Sequence, residues 1–341
     1  MTDVPSTEIV LEVLEGCGSF AAAEASRIGE LLVQEPTELR IRTPDLAAVC
    51  ALRGSVAASI AITEPARRPR EMLATPVRSR LQQAVEEIRR QRPRPRFHGV
   101  RLEAAGAGSP DMRRIADMLS EVSDLPVDDE DGDLVVRLRR GRGDPAGWEA
   151  LVRTTARPLS ARPWRVVDYP GAVNATIAAS VLDRMDIAAQ DSVLDMTCGS
   201  GTFLVEQLHV AAPRRAVGVD ISPEAVDAAR AHQRAARRRG RIEWITGDVL
   251  SVPLEGGFTR LLTNPPWGML HGSHEDNARL LTDLLARAAE LAAPGARLGV
   301  LTQEIRRMHE ILDTAAHGWR PMGEQRFFQK GHHPRLFLLE R

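Results

Sequence analysis

Residues 261–268, LLTNPPWG, join a hydrophobic run to an amide side chain, two successive prolines and an aromatic ring. Two prolines in a row remove backbone donors and fix φ, so the Asn264 side chain and the neighbouring carbonyls are held outward at a strand end. Asn264 through its side-chain carbonyl and Pro265 through its main-chain carbonyl can accept both hydrogens of an exocyclic amino group. Pro266 stiffens the turn, and Trp267 is placed to stack on a base turned out of its helix, worth about 1–3 kcal/mol. The nitrogen of such an amine is a poor nucleophile, because its lone pair is conjugated into the ring. The chemistry expected is therefore methylation of an exocyclic amino nitrogen, achieved mostly by positioning, with no strong general base.

Three upstream points fall where the same pattern puts strand ends. In VLDMTCGSGTF (193–203), Asp195 ends an apolar strand and Gly199 and Gly201 let the backbone approach a ligand closely at a helix start. The dinucleotide fingerprint needs a third glycine where Leu204 stands, which argues against a nicotinamide cofactor. In AVGVDISP, Asp220 follows 19 residues after Gly201 and suits a pair of ribose hydroxyls. In ITGDVLSVP, Asp248 ends the next strand and could accept from an adenine amino group. An acid at a helix start or strand end also has plain structural uses. Cys198 reads as a small packing residue, His271 and His274 as solvated loop residues, and His332 and His333 as a turn. Trp148 and Trp164 read as domain-packing residues; Arg162 and Arg165 are candidates for phosphate contact.

These points need a scaffold, and the rhythm after residue 165 supplies one. Helix 172–185, strand SVLDM, helix TFLVEQLHVAA, strand RAVGVD and a helix opened by Ser222 and Pro223 follow one another. Strands RIEWITGD and TRLLTN, helix 276–293, strand ARLGVLT, a weaker helix over 304–315 and strands GEQRFFQ and PRLFLLER complete it. Repeated β–α alternation with a closing hairpin predicts a doubly wound sheet, which binds ligands at the carboxyl ends of its strands. Upstream, strands are expected at 9–14, 97–104 and 133–140, helices at 20–33, 76–91 and 111–123, and a hairpin return into ALVRTTA, one or two small α+β units.

The 341 residues carry 45 basic and 46 acidic groups, and a hydrophobic fraction of 43% excludes global disorder. A net charge of −1 argues weakly against a polyanionic partner, but the balance is local. Residues 1–50 are net −6, 51–100 net +7 and 101–150 net −5. Ten arginines fall between Arg67 and Arg96, a stretch suited to phosphate even though Leu81, Val85 and Ile88 keep helical spacing inside it. Only one basic residue is lysine, Lys330, a skew that codon bias explains most simply. Three scattered cysteines exclude a disulfide framework and a cysteine-based zinc site, and no metal is expected. No signal peptide or apolar run of membrane-spanning length is visible, so a cytoplasmic protein is expected.

With those motifs in hand, residues 165–341 resemble a class I S-adenosylmethionine-dependent methyltransferase of the amino-methylating kind. The order, cofactor glycines before Asn-Pro-Pro-aromatic, is similar to that of guanine-N2 and some adenine-N6 enzymes. The upstream half resembles the ferredoxin-like and THUMP segments of THUMP-containing RNA methyltransferases, and RPLSARPWRVVDYPGAVNATIAASVL resembles that family's passage into the catalytic domain. The likeness is strong over 157–270 and weak over 1–150. It implies a Rossmann-like, doubly wound, seven-stranded α/β domain at 165–341, preceded by an α+β region with a ferredoxin-like segment at 1–62 and a THUMP-like RNA-binding domain at 63–160. It implies S-adenosyl-L-methionine held by Asp195, Gly199, Gly201, Asp220 and Asp248, with Asn264, Pro265, Pro266 and Trp267 as the catalytic motif. Met196-Thr197 stand where the family usually has proline, and Trp267 replaces tyrosine or phenylalanine.

The leading expectation is guanosine N2 methylation of RNA, tRNA before ribosomal RNA, with a shape-reading module gripping the fold. Adenine-N6 methylation of RNA or DNA shares the catalytic motif and stays open. Protein glutamine methylation would leave the arginine-rich half without a purpose. A non-catalytic RNA-binding relic would have no reason to keep Gly199, Gly201, Asp220, Asp248 and Asn264 together.

Overall fold

A computed structural model describes residues 7–92, 96–142, 147–266, 274–314, 317–328 and 331–341. The chain divides into two compact units, one of residues 1–13 and 18–160, the other of 14–17 and 161–341.

The first unit holds a seven-stranded sheet. Its strands are β1 (Thr7–Glu12), β2 (Glu30–Gln34), β3 (Glu38–Thr43), β4 (Ala57–Glu64), β5 (Val100–Ala104), β6 (Leu134–Arg140) and β7 (Trp148–Arg153). They lie in the order β2-β3-β1-β4-β7-β6-β5, antiparallel except for β5 with β6. Helices α1 (Gly18–Ala25), α2 (Leu46–Val49), α3 (Thr75–Gln91) and α4 (Pro110–Ser123) bury apolar stripes; that of α3 is Val77, Leu81, Ala84, Val85 and Ile88. Where a helix was expected over 20–33, the helix ends at Ala25 and the chain returns as β2. Thr43 Oγ1 donates to the Ile28 carbonyl at 2.7 Å, and a side chain on Gly29 would meet the Arg42 carbonyl at 2.6 Å, so pairing with β3 overrides local helix propensity. Strands β2, β3 and β4 are additions to the expected set. The boundary drawn at 62/63 falls inside β4.

The second unit holds another seven-stranded sheet: β8 (Ser192–Asp195), β9 (Arg215–Asp220), β10 (Glu243–Thr246), β11 (Phe258–Thr263), β12 (Ala292–Thr302), β13 (Arg320–Arg326) and β14 (Arg335–Glu340). The order is β10-β9-β8-β11-β12-β14-β13, with the first five parallel and β14 antiparallel to both its neighbours. Helices α5 (Ala175–Met185), α6 (Thr202–Gln207), α7 (Pro223–Ala236), α8 (His274–Leu291) and α9 (Ile305–Leu312) flank it. Leu194, Val217, Leu261, Leu298 and Phe337 face a core completed by Leu281, Leu284 and Leu285 of α8 and Met308 of α9. On the opposite face a Cβ on Gly299 would lie 2.9 Å from Met185 of α5, and one on Gly218 would lie 3.1 Å from Leu204 of α6. Helices on both faces of a mostly parallel sheet make this the Rossmann-like, doubly wound fold expected from the β–α rhythm. Strand order reverses at β8 and β11, which opens a crevice at their carboxyl ends.

Candidate functional site

A cavity of about 1130 Å³ occupies that crevice. Gly199, Asp220, Asp248, Asn264, Pro265 and Pro266 all line it, so residues up to 67 positions apart in sequence meet in one place. Asp195 and Gly201 do not line it, and Trp267 lies outside the described residues.

The β8–α6 loop builds one wall. Cys198 N–H donates to the Val219 carbonyl at 2.8 Å and Met196 N–H to the Leu262 carbonyl at 2.8 Å, so the loop is stitched to the strands on either side of β8. Gly199 adopts φ +50° and a Cβ there would meet nothing within 4 Å, leaving bare backbone toward the cavity. Gly201 serves a different end from the ligand approach expected of it. At φ +78° it caps α6, and a Cβ would lie 2.5 Å from the Trp244 ring and 2.9 Å from Ala229. It is glycine for packing behind the wall.

Asp220 ends β9 with its carboxylate fixed: Oδ2 accepts from Gly199 N–H at 2.7 Å and Oδ1 from Ser222 N–H at 3.0 Å. A carboxylate offers about four acceptor sites, so two remain. Asp248 is exposed, and its Oδ1 accepts from Leu250 N–H at 3.0 Å. Asp195 is 1% exposed beneath the loop, and among the described residues neither of its oxygens has a hydrogen-bond partner. Burial pushes its carboxyl up to about 8; the Thr197 N–H opposes the rise without reaching hydrogen-bonding geometry, and the charge of Asp220 adds to it. Burial also holds the Cys198 thiol well above the usual range, in keeping with a packing residue.

The facing wall begins at Asn264. Its N–H donates to Thr197 Oγ1 at 2.9 Å, and Thr197 Oγ1 lies 3.0 Å from Thr263 Oγ1, which locks the strand end to the β8–α6 loop. Asn264 Oδ1 is buried and, among the described residues, accepts no hydrogen bond. An unpaired buried carbonyl costs about 1–3 kcal/mol, a cost relieved when a donor reaches it. His271 is outside the described residues, and His274 opens α8.

The structure gives several residues roles that sequence patterns did not show, Arg165 among them, expected as a phosphate contact. Segment 165–173 lines the cavity, and Arg165 Nη2 ties it down through the Val173 carbonyl at 3.0 Å and Thr202 Oγ1 at 2.9 Å. His232 of α7 is fully buried; its Nδ1–H donates to the Ser200 carbonyl at 2.9 Å, leaving Nε2 to accept from Val167 N–H at 3.2 Å. Trp164 packs edge-on against the His232 ring at 5.5 Å. Arg162, a candidate phosphate ligand, is instead buried in an ion pair with Glu206 at 2.8 Å. Gln303 and His332 line the cavity too, so His332 is more than a turn residue. A lone histidine in an amphipathic helix, or a glutamine after a strand, gives no sequence signal of these roles. Among the described residues no cluster of metal-ligating side chains occurs, and no helix is long and apolar enough to cross a membrane.

Residues 162–335 match the UPF0020 family, described as an RMKL-like methyltransferase domain. The chain belongs to this methyltransferase family. It is 30% identical over 273 residues to a tRNA (guanine(6)-N2)-methyltransferase of Thermus thermophilus, covering 76% of this chain and 78% of that one. A second tRNA (guanine(6)-N2)-methyltransferase, from Methanocaldococcus jannaschii, is 25% identical over 189 residues, covering 43% of this chain and 48% of that one. The crystal structure of TrmN from Thermus thermophilus superposes with a TM-score of 0.73 at 23% identity, over 98% of this chain and 99% of that one, which supports the fold. The methyltransferase uses S-adenosylmethionine. The cavity fits that group: bare backbone at Gly199 and a fixed Asp220 carboxylate with acceptor capacity to spare stand on the same wall.

Proposed function

We propose that the methyltransferase transfers a methyl group to the exocyclic N2 of a guanosine in tRNA, at position 6 as the names of its relatives indicate. The observation that carries the chemistry is the buried, unpartnered Asn264 Oδ1 in the wall facing Asp220. S-adenosylmethionine bound on the β8–β10 side supplies an electrophilic methyl on a sulfonium. Asp220 accepts from the ribose hydroxyls, Asp248 accepts from the adenine amine, and Gly199 lets the backbone close on the ligand; Asp195 and Gly201 support that loop from behind. Asn264 Oδ1 and the Pro265 carbonyl accept the two N2 hydrogens and turn the nitrogen lone pair toward the methyl. Pro266 fixes the turn and Trp267 stacks on the base. The N2 lone pair forms the new C–N bond as the C–S bond breaks, and the methylated nitrogen then sheds one of its protons. Holding the reactants in line supplies most of the rate.

The upstream residues carry the RNA. A ferredoxin-like 1–62 and a THUMP-like 63–160 would grip a folded RNA by shape and phosphate while the base is turned into the cavity. A cytoplasmic location accords with a tRNA substrate. Asn264→Ala tests the catalytic role. Methyl transfer to tRNA is expected to fall about 100-fold or more, with S-adenosylmethionine affinity by calorimetry nearly unchanged. A variant that methylates at the wild-type rate would remove Asn264 from the chemistry.

A further inference from the structure

The cavity has two halves set by strand order. The carboxyl ends of β8, β9 and β10 and the loops after them bring Gly199, Asp220 and Asp248, while the ends of β11, β12 and β14 bring Asn264, Gln303 and His332. Thr263 pairs with Val300, so Gln303 stands one strand over from Asn264 and two residues further out along the strand direction. Neighbouring strands are about 4.8 Å apart, a spacing that lets two side chains share one purine. Gln303 is half-buried, lines the cavity and, among the described residues, has no hydrogen-bond partner.

We propose that Gln303 reads the Watson–Crick edge of the incoming base and selects guanine over adenine. This rests on the N2-guanine reading above. When Asn264 and Pro265 hold the N2 hydrogens, guanine still presents N1–H, a donor, beside O6, an acceptor. A primary amide matches that pair: Oε1 accepts from N1–H and Nε2 donates to O6. An adenine held in the same way by its N6 hydrogens leaves N1 as the lone polar group beside a C–H. Turning the amide over does not help, since only one of its two groups then finds a partner. Guanine thus makes two hydrogen bonds where adenine makes one, and the unmatched half of the amide is left unsatisfied in the cavity wall.

The probe is a tRNA transcript carrying 2-aminopurine at position 6, compared with guanosine there. That base keeps the reacting amine and lacks O6 and N1–H. Wild-type enzyme is expected to favour guanosine in kcat/KM by roughly 100-fold. In Gln303→Leu the ratio should collapse to within about threefold, with the loss falling on guanosine and S-adenosylmethionine affinity by calorimetry unchanged. Comparing ratios cancels any change that 2-aminopurine makes to the RNA itself, because both enzymes meet the same transcripts. If Gln303→Leu fails to bind the cofactor, Gln303→Ala serves for the same ratio. A preference that stays near the wild-type value in a cofactor-binding variant overturns the inference alone. Absence of N2-methylguanosine from wild-type enzyme acting on the guanosine transcript overturns the underlying reading as well.

Discussion

Gly199 and Gly201 stand two residues apart and need glycine for different reasons. Both have positive φ, which costs an L-residue about 1–2 kcal/mol. Only at Gly201 would a Cβ also strike Trp244 and Ala229. Gly201→Ala is therefore expected to lower the unfolding free energy by about 1–3 kcal/mol more than Gly199→Ala, read from denaturant midpoints; equal losses would contradict the packing role. The GxG spacing was legible in the sequence, but the division of labour was not, because Trp244 lies more than 40 residues away and only the fold brings it behind the loop. Asp195 teaches the same lesson. Its place at a strand end was legible; its burial depends on the loop closing over it. With its carboxyl raised from 3.8 to about 8, the folded state holds a proton that the unfolded state has released. The resulting stabilisation is complete below the unfolded value and is lost as pH rises through the folded one. Wild-type stability without cofactor should therefore fall with pH up to about 8 more steeply than that of Asp195→Asn. Parallel pH profiles would show that Asp195 is ionised in the folded protein.

At the scale of elements, α3 turns the run of arginines into two populations. Arg78 pairs with Glu121 at 2.8 Å, Arg80 binds Glu64 and the Thr63 carbonyl, Arg89 binds the Ser123 carbonyl, and Arg90 pairs with Glu87. Arg67, Arg68 and Arg70, in and before the short 3-10 turn Pro69–Leu73, are exposed and their side chains have no partner among the described residues. Arg140 reaches the Arg67 carbonyl at 3.2 Å and lies 4.7 Å over the Trp148 ring, adding charge to the same corner. Free arginines release counterions on meeting phosphate; paired ones first have to leave a carboxylate. Replacing Arg67, Arg68 and Arg70 together by Gln should lower the slope of log K for tRNA against log salt by about 2. Replacing Arg78 and Arg80 by Gln should change it by less than about 1. Equal effects would mean that the whole tract, rather than the turn, meets the RNA. The amphipathic helix was readable from Leu81, Val85 and Ile88, whereas the pairing of its arginines depends on Glu64 and Glu121 from neighbouring elements. β2 escaped notice for a related reason: an exposed edge strand with little burial has no alternating pattern to betray it.

Across the whole molecule, a net charge near zero hides how the charges are spent. In the first unit Arg40 and Arg139 both grip Glu149, a fully buried carboxylate, with Glu38 bridging to each of them. Despite the opposing effect of burial, hydrogen bonds and charge from Arg40 and then Arg139 hold the Glu149 carboxyl below its usual range. Such groups balance each other inside the fold and say nothing about partners, which is why the total was a poor guide and local position a better one. The second unit was the more legible of the two, since β–α alternation repeats and its strand ends carry recognisable residues. The first unit was harder to read because its antiparallel strands are joined by long-range pairings such as β1 with β4 and β4 with β7. The central claim, methylation of guanosine N2 in tRNA, is tested most directly by nucleoside mass spectrometry of tRNA after incubation with the enzyme and isotopically labelled S-adenosylmethionine. The account predicts label in N2-methylguanosine, lost with Asn264→Ala. Label in N6-methyladenosine, or in no nucleoside at all, would contradict it.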